Sequence, residues 1–201
     1  MSKTDFDLIV AGAGIVGIST ALWAQKEGLK TLICDPAPPG SGTTYGSACT
    51  IATYACIPVN SPTIFSALPH LLTSKDSPLS FNLAHGLKNP RWMLSFLNNC
   101  RPSRVKHVTQ ALGGFLRHAD SGLDPLIAEA EAQDLIVSND CLYVWSSRSG
   151  FENAATSNAM RAEQGVEFDE LGPYDIRSLE PNLQQAMHRG LRFKGARHIT
   201  N

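Results

Sequence analysis

Residues 6–35 read FDLIVAGAGIVGISTALWAQKEGLKTLICD, and the order of apolar and glycine-rich segments in this stretch decides the fold. The apolar run at residues 6–11 is typical of a buried parallel strand. Residues 18–27 show a helical pattern, and Gly28 predicts the end of that helix. A second apolar run, at residues 31–34, predicts another buried strand. Strand, helix and strand within about 30 residues match the length of a βαβ unit.

Three glycines form a GxGxxG pattern between the first strand and the helix. In a dinucleotide-binding turn Gly12 would permit the tight turn, Gly14 the close approach of a pyrophosphate, and Gly17 the packing of helix against strand. The helix N-terminus would direct free N–H groups and a partial positive charge toward the phosphates. The predicted diphosphate-binding residues are Gly12, Ala13, Gly14, Ile15, Val16 and Gly17.

Asp35 ends the second strand. A carboxylate at this position accepts hydrogen bonds from the ribose hydroxyls of an adenosine and repels a 2′-phosphate, which disfavours NADP. A GxGxxG also occurs as a turn without a ligand. Together, the flanking strand and helix, Gly28 and Asp35 favour the dinucleotide interpretation.

Proteins that bind FAD and proteins that bind NAD share the glycine pattern, so the loop after Asp35 has to distinguish between them. Residues 36–48 (PAPPGSGTTYGSA) are too rich in proline and glycine for regular structure. Small residues would let this loop cross a flavin closely, while Thr43, Thr44 and Ser47 donate hydrogen bonds to the pyrophosphate or the ring. The alternative is a solvated loop whose hydroxyl groups make only local turns. We favour FAD.

The remainder of the chain changes character along its length. Residues up to about 134 predict helices broken by prolines, and later residues predict strands that alternate with helices. We take this later α+β segment as a layer separate from the nucleotide-binding unit. The predicted helices cover residues 62–72, Pro90–Asn99, 102–134 with an interruption near Gly122, 151–164 and Pro173–Leu179. The predicted strands cover residues 141–146, 166–171 and 188–193.

The composition disfavours several classes of function. Lys and Arg total 17 against 18 for Asp and Glu, which gives no electrostatic case for nucleic acid. The five cysteines lack CxxC spacing and the six histidines form no HxxxH or HExxH pair, so we predict reduced thiols and no metal. Without a signal-peptide pattern or a long apolar run, we expect a cytoplasmic protein, with peripheral association at the inner face of the membrane still open.

Four features resemble one family of flavoenzymes. They are DLIVAGAGIVGISTALWAQKEG with LICD, the loop GTTYGSACTIA, the segment NPRWMLSFLNNCRPSR, and SLEPNL followed by GARHITN. The chain resembles the D-amino-acid oxidase superfamily of FAD-dependent oxidoreductases, and most closely the small subunits of bacterial D-amino acid dehydrogenases. The likeness corresponds to the N-terminal half of such proteins.

The resemblance implies an α/β fold with a Rossmann-like FAD-binding domain and an α+β substrate domain. Residues 1–135 would form the FAD-binding domain, residues 136–194 part of the substrate domain, and residues 195–201 a return to the first domain. Cys49 stands where related loops often have glycine. Substrate-anchoring Arg and Tyr residues of the family would lie beyond Asn201, so we assign no catalytic residue and expect the fold to be incomplete at its C-terminal end.

The resemblance also implies a reaction. A D-amino acid would be oxidised by hydride transfer to flavin N5, and the resulting imine would hydrolyse to a 2-oxo acid. The electrons would pass to a quinone or to oxygen. One alternative is an oxidase or dehydrogenase of glycine, sarcosine or hydroxyproline. Another is a noncatalytic truncated fragment that needs a partner chain to supply the C-terminal half.

Overall fold

The glycine-rich turn predicted from the sequence joins the first strand to the first helix in the computed structural model, which describes residues 5–60, 62, 88–183 and 185–200. These residues form two compact units. Unit 1 contains residues 5–51, 118–139 and 196–200. Unit 2 contains residues 52–60, 62, 88–117, 140–183 and 185–195.

The elements are numbered in chain order. The strands are β1 (Leu8–Ala11), β2 (Thr31–Cys34), β3 (Thr50–Ile51), β4 (Ile136–Ser138), β5 (Cys141–Trp145), β6 (Phe168–Leu171), β7 (Arg189–Phe193) and β8 (Arg197–Ile199). The helices are α1 (Ile15–Lys26), α2 (Pro90–Asn99), α3 (Pro102–Leu116), α4 (Ala119–Glu129), α5 (Arg148–Asn153), α6 (Ala155–Glu163) and α7 (Pro173–Leu179), with a short 3₁₀ turn at Gln133–Leu135.

The predicted βαβ unit is confirmed in unit 1. Strands β1 and β2 are parallel neighbours, with Leu8 opposite Thr31 and Ala11 opposite Cys34. Helix α1 begins at Ile15, three residues before the predicted start. Its first turn contains Gly17 and shows no clear apolar periodicity, so the pattern did not indicate a helix there. Gly28 has φ +83°, the left-handed conformation expected of a glycine that ends a helix.

Unit 1 also contains a small antiparallel sheet that the sequence did not predict. Strand β8 lies in the centre and pairs with β3 on one side and β4 on the other. His198 is opposite both Thr50 and Val137. Strands of two or three residues are too short to show an alternating pattern, so only tertiary pairing defines them.

The predicted long helix over 102–134 is wrong as a single element. Helix α3 ends at Leu116, and α4 starts at Ala119. The expected interruption at Gly122 does not occur: this residue is helical, and its carbonyl accepts a hydrogen bond of 3.0 Å from Nε1 of Trp23. The predicted helix over 151–164 is likewise divided into α5 and α6 by Ala154.

Unit 2 is built on an antiparallel sheet in which β7 lies between β5 and β6. Phe193 of β7 is completely buried. Its ring stacks on Tyr54 with centroids 5.1 Å apart and meets Tyr143 and Phe168 edge-on. The guanidinium of Arg161, on α6, lies 5.2 Å from the centroid of the Phe193 ring. This aromatic cluster forms the core of the unit.

The division into units differs from the expected domain boundaries. Residues 52–60 and 88–117 group with the later strands, whereas we expected them in a first domain that ends at 135. Residues 196–200 group with the glycine turn. The predicted helix over 62–72 lies, apart from residue 62, outside the described residues. In the part of the chain that the structure describes, no helix combines the length and apolarity needed to cross a membrane.

Candidate cofactor-binding site

The glycine turn packs so closely that side chains are excluded from it. Gly12 has φ +106°, and its N–H donates a hydrogen bond of 2.8 Å to the carbonyl of Cys34. A Cβ atom on Gly17 would lie 2.0 Å from the carbonyl oxygen of Gly12 and 3.3 Å from Cγ1 of Val10. Position 17 must therefore be glycine for the helix to approach the strand, whereas position 12 favours glycine because of its positive φ.

The N-terminus of α1 meets the loop over 36–48. Gly14 is the N-cap residue and offers no side chain to the first turn. Instead, the N–H of Ile15 donates a hydrogen bond of 3.1 Å to Oγ1 of Thr44. A Cβ atom on Gly14 would lie 3.2 Å from the same hydroxyl oxygen. A second contact, from the N–H of Gly40 to the carbonyl of Ala13, holds the loop against the turn at 2.8 Å.

Asp35 lies beside the glycine turn, at the end of β2. Its Oδ2 accepts a hydrogen bond of 2.7 Å from the N–H of Ala13, and its Oδ1 accepts one of 2.8 Å from the N–H of Ala37. These bonds, the one from Ala13 above all, lower the pKa of the exposed carboxyl. Each carboxylate oxygen still has a lone pair for a further donor, such as a ribose hydroxyl.

Thr43 and Ser47 behave differently from Thr44. Thr43 is exposed, and Ser47 makes the local turn that the alternative interpretation of the loop predicts, since its Oγ accepts a hydrogen bond of 3.3 Å from the N–H of Cys49. Cys49 itself has φ +57°, a conformation that favours glycine. Glycine would adopt this backbone conformation without a steric cost.

An apolar cavity of about 440 Å³ lies within unit 1, inside the range of small-molecule sites. Three of the residues that line the cavity, Ile15, Thr44 and Ser47, are among the predicted cofactor-binding residues. Leu123 and Ile127 were not predicted, although their i, i+4 spacing indicates an apolar face of α4. The remaining lining residues are Ala48, Cys49, Thr50, Ile51, Ala132, Leu135, Ile136 and Ile199.

These features fit an adenine dinucleotide with an aromatic second half. The side-chain-free turn and the N-terminus of α1, whose N-cap residue Gly14 has no side chain, suit a diphosphate. The charged carboxylate of Asp35 suits a ribose. The apolar cavity begins at Ile15 and Thr44, next to the diphosphate position, and suits a planar ring. Two side chains bond to N–H groups of the glycine turn: Oδ2 of Asp35 accepts from Ala13, and Oγ1 of Thr44 accepts from Ile15.

Comparison with known proteins identifies the family. A family model described as FAD dependent oxidoreductase matches residues 7–201. The chain belongs to this family of FAD-dependent oxidoreductases. This confirms the predicted membership of the D-amino-acid oxidase superfamily and its family cofactor, FAD. It also confirms the α/β fold class.

Two curated relatives of this FAD-dependent oxidoreductase are similar over most of its length. A D-amino-acid oxidase of Bradyrhizobium diazoefficiens is 29% identical over 177 residues, which cover 87% of this chain and 42% of that protein. D-amino acid dehydrogenase 2 of Ralstonia nicotianae is 29% identical over 183 residues, which cover 89% of this chain and 43% of that protein. The chain therefore spans less than half the length of both relatives.

A solved structure supports the fold. Glycine oxidase from Geobacillus kaustophilus matches with a TM-score of 0.57 at 13% identity, over 97% of this chain and 40% of that one. At this level of identity the match shows the fold alone.

Proposed function

We propose that this chain supplies the FAD-binding part of a flavoenzyme that oxidises a D-amino acid. The observation that carries the proposal is the convergence of three features in unit 1. These are the glycine cradle at Gly12 and Gly17, the charged Asp35 at its edge, and the apolar cavity that opens from Thr44. The family match and the names of the two curated relatives support it.

Each part of the site has a separate role in this proposal. Residues 12–17 enclose the diphosphate, and N–H groups at the N-terminus of α1 bind it, since the N–H groups of Gly12 and Ala13 donate to Cys34 and Asp35. Asp35 accepts hydrogen bonds from the adenosine ribose. Thr44 accepts from the N–H of Ile15, so its own hydroxyl hydrogen remains able to donate toward a phosphate or the ring. Ser47, at the cavity wall, is the second candidate donor, whereas the exposed Thr43 lines no part of the cavity.

FAD, when bound, would supply the hydride acceptor needed to convert the substrate amine to an imine. Water would then hydrolyse the imine to a 2-oxo acid and ammonia. The chain's own contribution is to orient the cofactor and to exclude water around it. We assign no described residue as a catalytic base. Tyr54 could be considered, but it is buried in the aromatic cluster of unit 2, and burial raises its pKa, so it remains a neutral packing residue.

The substrate and the electron acceptor remain alternatives within the proposal. Glycine, sarcosine or hydroxyproline could replace a D-amino acid, and the electrons could pass to a quinone or to oxygen. Oxygen uptake and dye reduction by the full chain, measured on a panel of D-amino acids and N-methyl amino acids, separate these possibilities. Absence of all turnover by a yellow, folded chain would favour the second candidate below, whereas turnover only of substrates other than amino acids would contradict the amino-acid assignment.

The second candidate is a noncatalytic chain that needs further polypeptide. Val10 faces α1, because its Cγ1 lies near Gly17, so Ile9 points to the opposite face of the strand. The side chain of Ile9 is 64% exposed there. Parallel strands are normally covered on both faces, which favours additional polypeptide, continuous or separate, over Ile9. A colourless, aggregating chain that becomes yellow when the C-terminal half of a relative is co-expressed would support this candidate.

Peripheral association with a membrane belongs to the same proposal. Arg91 on α2, Arg104 on α3 and Arg101 just before α3 are exposed, and the sequence contains no Asp or Glu between residues 77 and 119. Exposed cations of this kind are attracted to anionic lipid. We expect a cytoplasmic protein that sediments with anionic vesicles at low salt and not with neutral ones. Equal sedimentation with both kinds of vesicle would contradict an electrostatic attachment.

A further inference from the structure

Arg197 joins strand β8 to helix α4 through two carboxylates. Its Nη2 lies 2.5 Å from Oδ1 of Asp120, and its Nη1 lies 2.6 Å from Oδ1 of Asp124. The two aspartates are separated by one helical turn, so both face the same guanidinium. The charge of Arg197 is thus held between two acids of a single helix.

The ion pairs of Arg197 are shielded from water on the arginine side. The Arg197 side chain is only 16% exposed, and its Nε is buried without a hydrogen-bond partner among the described residues. The hydrogen bond to Asp124, followed by the charge of Asp120, raises the pKa of Arg197. Asp120 and Asp124 are themselves more than half exposed. Loss of the aspartates would therefore leave the shielded charge of Arg197 uncompensated, whereas loss of Arg197 would leave solvated carboxylates.

The two elements that Arg197 joins are both walls of the apolar cavity. Ile199 lies two residues beyond Arg197 on β8, and Leu123 and Ile127 project from the same side of α4 as Asp120 and Asp124. The position of α4 relative to β8 therefore sets the width of the cavity at this wall. Among the described residues, the hydrogen bonds and ion pairs of Arg197, Asp120 and Asp124 do not include the glycine cradle or Asp35.

We propose that Arg197, Asp120 and Asp124 form a positioning clamp that holds α4 and β8 at the separation required by the aromatic half of the cofactor. This inference rests on the proposed function of unit 1. The clamp would act through the cavity walls and would not touch the cofactor. It therefore contributes to binding of the flavin ring and not to binding of the adenosine diphosphate half.

That difference provides the test, because ADP reports on the glycine cradle alone and FAD reports on cradle and cavity together. The variants are Arg197→Met, which removes both ion pairs, Arg197→Lys, which retains the charge, and the double variant Asp120→Asn/Asp124→Asn. Lys26→Met is the matched control. Lys26, on α1, also forms an ion pair with α4, at 2.5 Å from Glu129, but it lines no part of the cavity.

Dissociation constants of FAD and ADP are measured by titration of the full chain. In Arg197→Met we expect FAD to bind at least about tenfold more weakly, which corresponds to 1.4 kcal/mol of binding free energy, while the affinity for ADP stays within about twofold. The double aspartate variant should behave in the same way, Arg197→Lys should recover part of the affinity, and Lys26→Met should match the parent. Unchanged FAD affinity, or equal weakening of FAD and ADP, would overturn the clamp.

Hydrogen exchange on the ligand-free chain decides the inference independently of cofactor binding. The N–H of Ile199 donates a hydrogen bond of 2.8 Å to the carbonyl of Cys49. Arg197→Met should accelerate exchange at Ile199 and in α4, and Lys26→Met should leave Ile199 unchanged. Equal exchange in both variants refutes the clamp. A parent chain that binds neither FAD nor ADP would instead refute the proposed function, and the exchange result would still stand.

Discussion

The backbone N–H of Ala13 donates a hydrogen bond of 2.7 Å to Oδ2 of Asp35. This bond ties the middle of the glycine turn to the end of the neighbouring strand. Asp35 therefore has two roles: it holds the turn in shape, and it presents a carboxylate at the edge of the proposed adenosine site. A substitution at position 35 should affect both the turn and the ligand.

Asp35→Ala should reduce FAD retention more than Asp5→Ala. Removal of the Asp35 carboxylate leaves the N–H groups of Ala13 and Ala37 without their acceptor and removes the proposed ribose contact. Asp5 lies outside the elements of unit 1 and is an exposed carboxylate of the same type. The measurement is the ratio of flavin to protein after dialysis. Equal flavin content in the two variants would refute the assignment of Asp35.

The contribution of Asp35 to stability should depend on pH in a defined direction. The hydrogen bonds from Ala13 and Ala37 lower the pKa of Asp35 in the folded state. The stabilisation is therefore fully present above the unfolded value of about 3.9 and is lost as the pH falls through the lower folded value. Urea unfolding of the parent and of Asp35→Asn should show a constant difference above about pH 5, which shrinks below about pH 4. A difference that grows on acidification would contradict the geometry.

Gly17→Ala should destabilise the chain, although alanine is the better helix former. The added Cβ would lie 2.0 Å from the carbonyl oxygen of Gly12, so the helix must move away from the strand at a cost of about 1–3 kcal/mol or more. Gly114→Ala is the control, because this helical glycine has open space around it, and the change should stabilise by about 0.5–1 kcal/mol. Urea unfolding measures both; effects of the same sign would count against the close approach.

Cys49→Gly should be more stable than Cys49→Ala. At φ +57° an L-residue experiences a steric cost of about 1–2 kcal/mol that glycine avoids, and part of this gain is offset by the greater freedom of glycine in the unfolded chain. We expect a difference of about 1 kcal/mol in the free energy of unfolding. Equal stability of the two variants would show that the left-handed conformation at this position is not required.

The sequence predicted the parts of the fold that local signals specify. The GxGxxG pattern with its flanking strand and helix led to the βαβ unit and to the Gly12 and Gly17 positions. The helices Pro90–Asn99 and Pro173–Leu179 were predicted with the observed bounds, because a proline marks the first turn of each. These elements depend on neighbours in sequence, and a single chain carries that information.

The missing parts depend on residues far apart in the chain. Pairing of Thr50 with His198 cannot be deduced from strands of two and three residues. The cavity wall at Leu123 and the ion pairs of Arg197 require the position of α4, which the sequence interpretation had merged into a longer helix. The bond from Ala13 to Asp35 was missed for another reason, since a backbone donor leaves no mark in the sequence.

Unit 1 is assembled from three separate stretches of chain, and β8, the central strand of its small antiparallel sheet, follows β3 by more than 140 residues. During synthesis, the glycine turn leaves the ribosome long before the strand that pairs with Thr50 has been made. Such long-range pairing is slow, because the loop between the strands must close before they can form hydrogen bonds. The small sheet beside the glycine turn should therefore stay incomplete, and prone to aggregation, until residue 199 has been made. Capture of the flavin by the complete cradle and cavity is therefore expected only after residue 199 has joined this sheet.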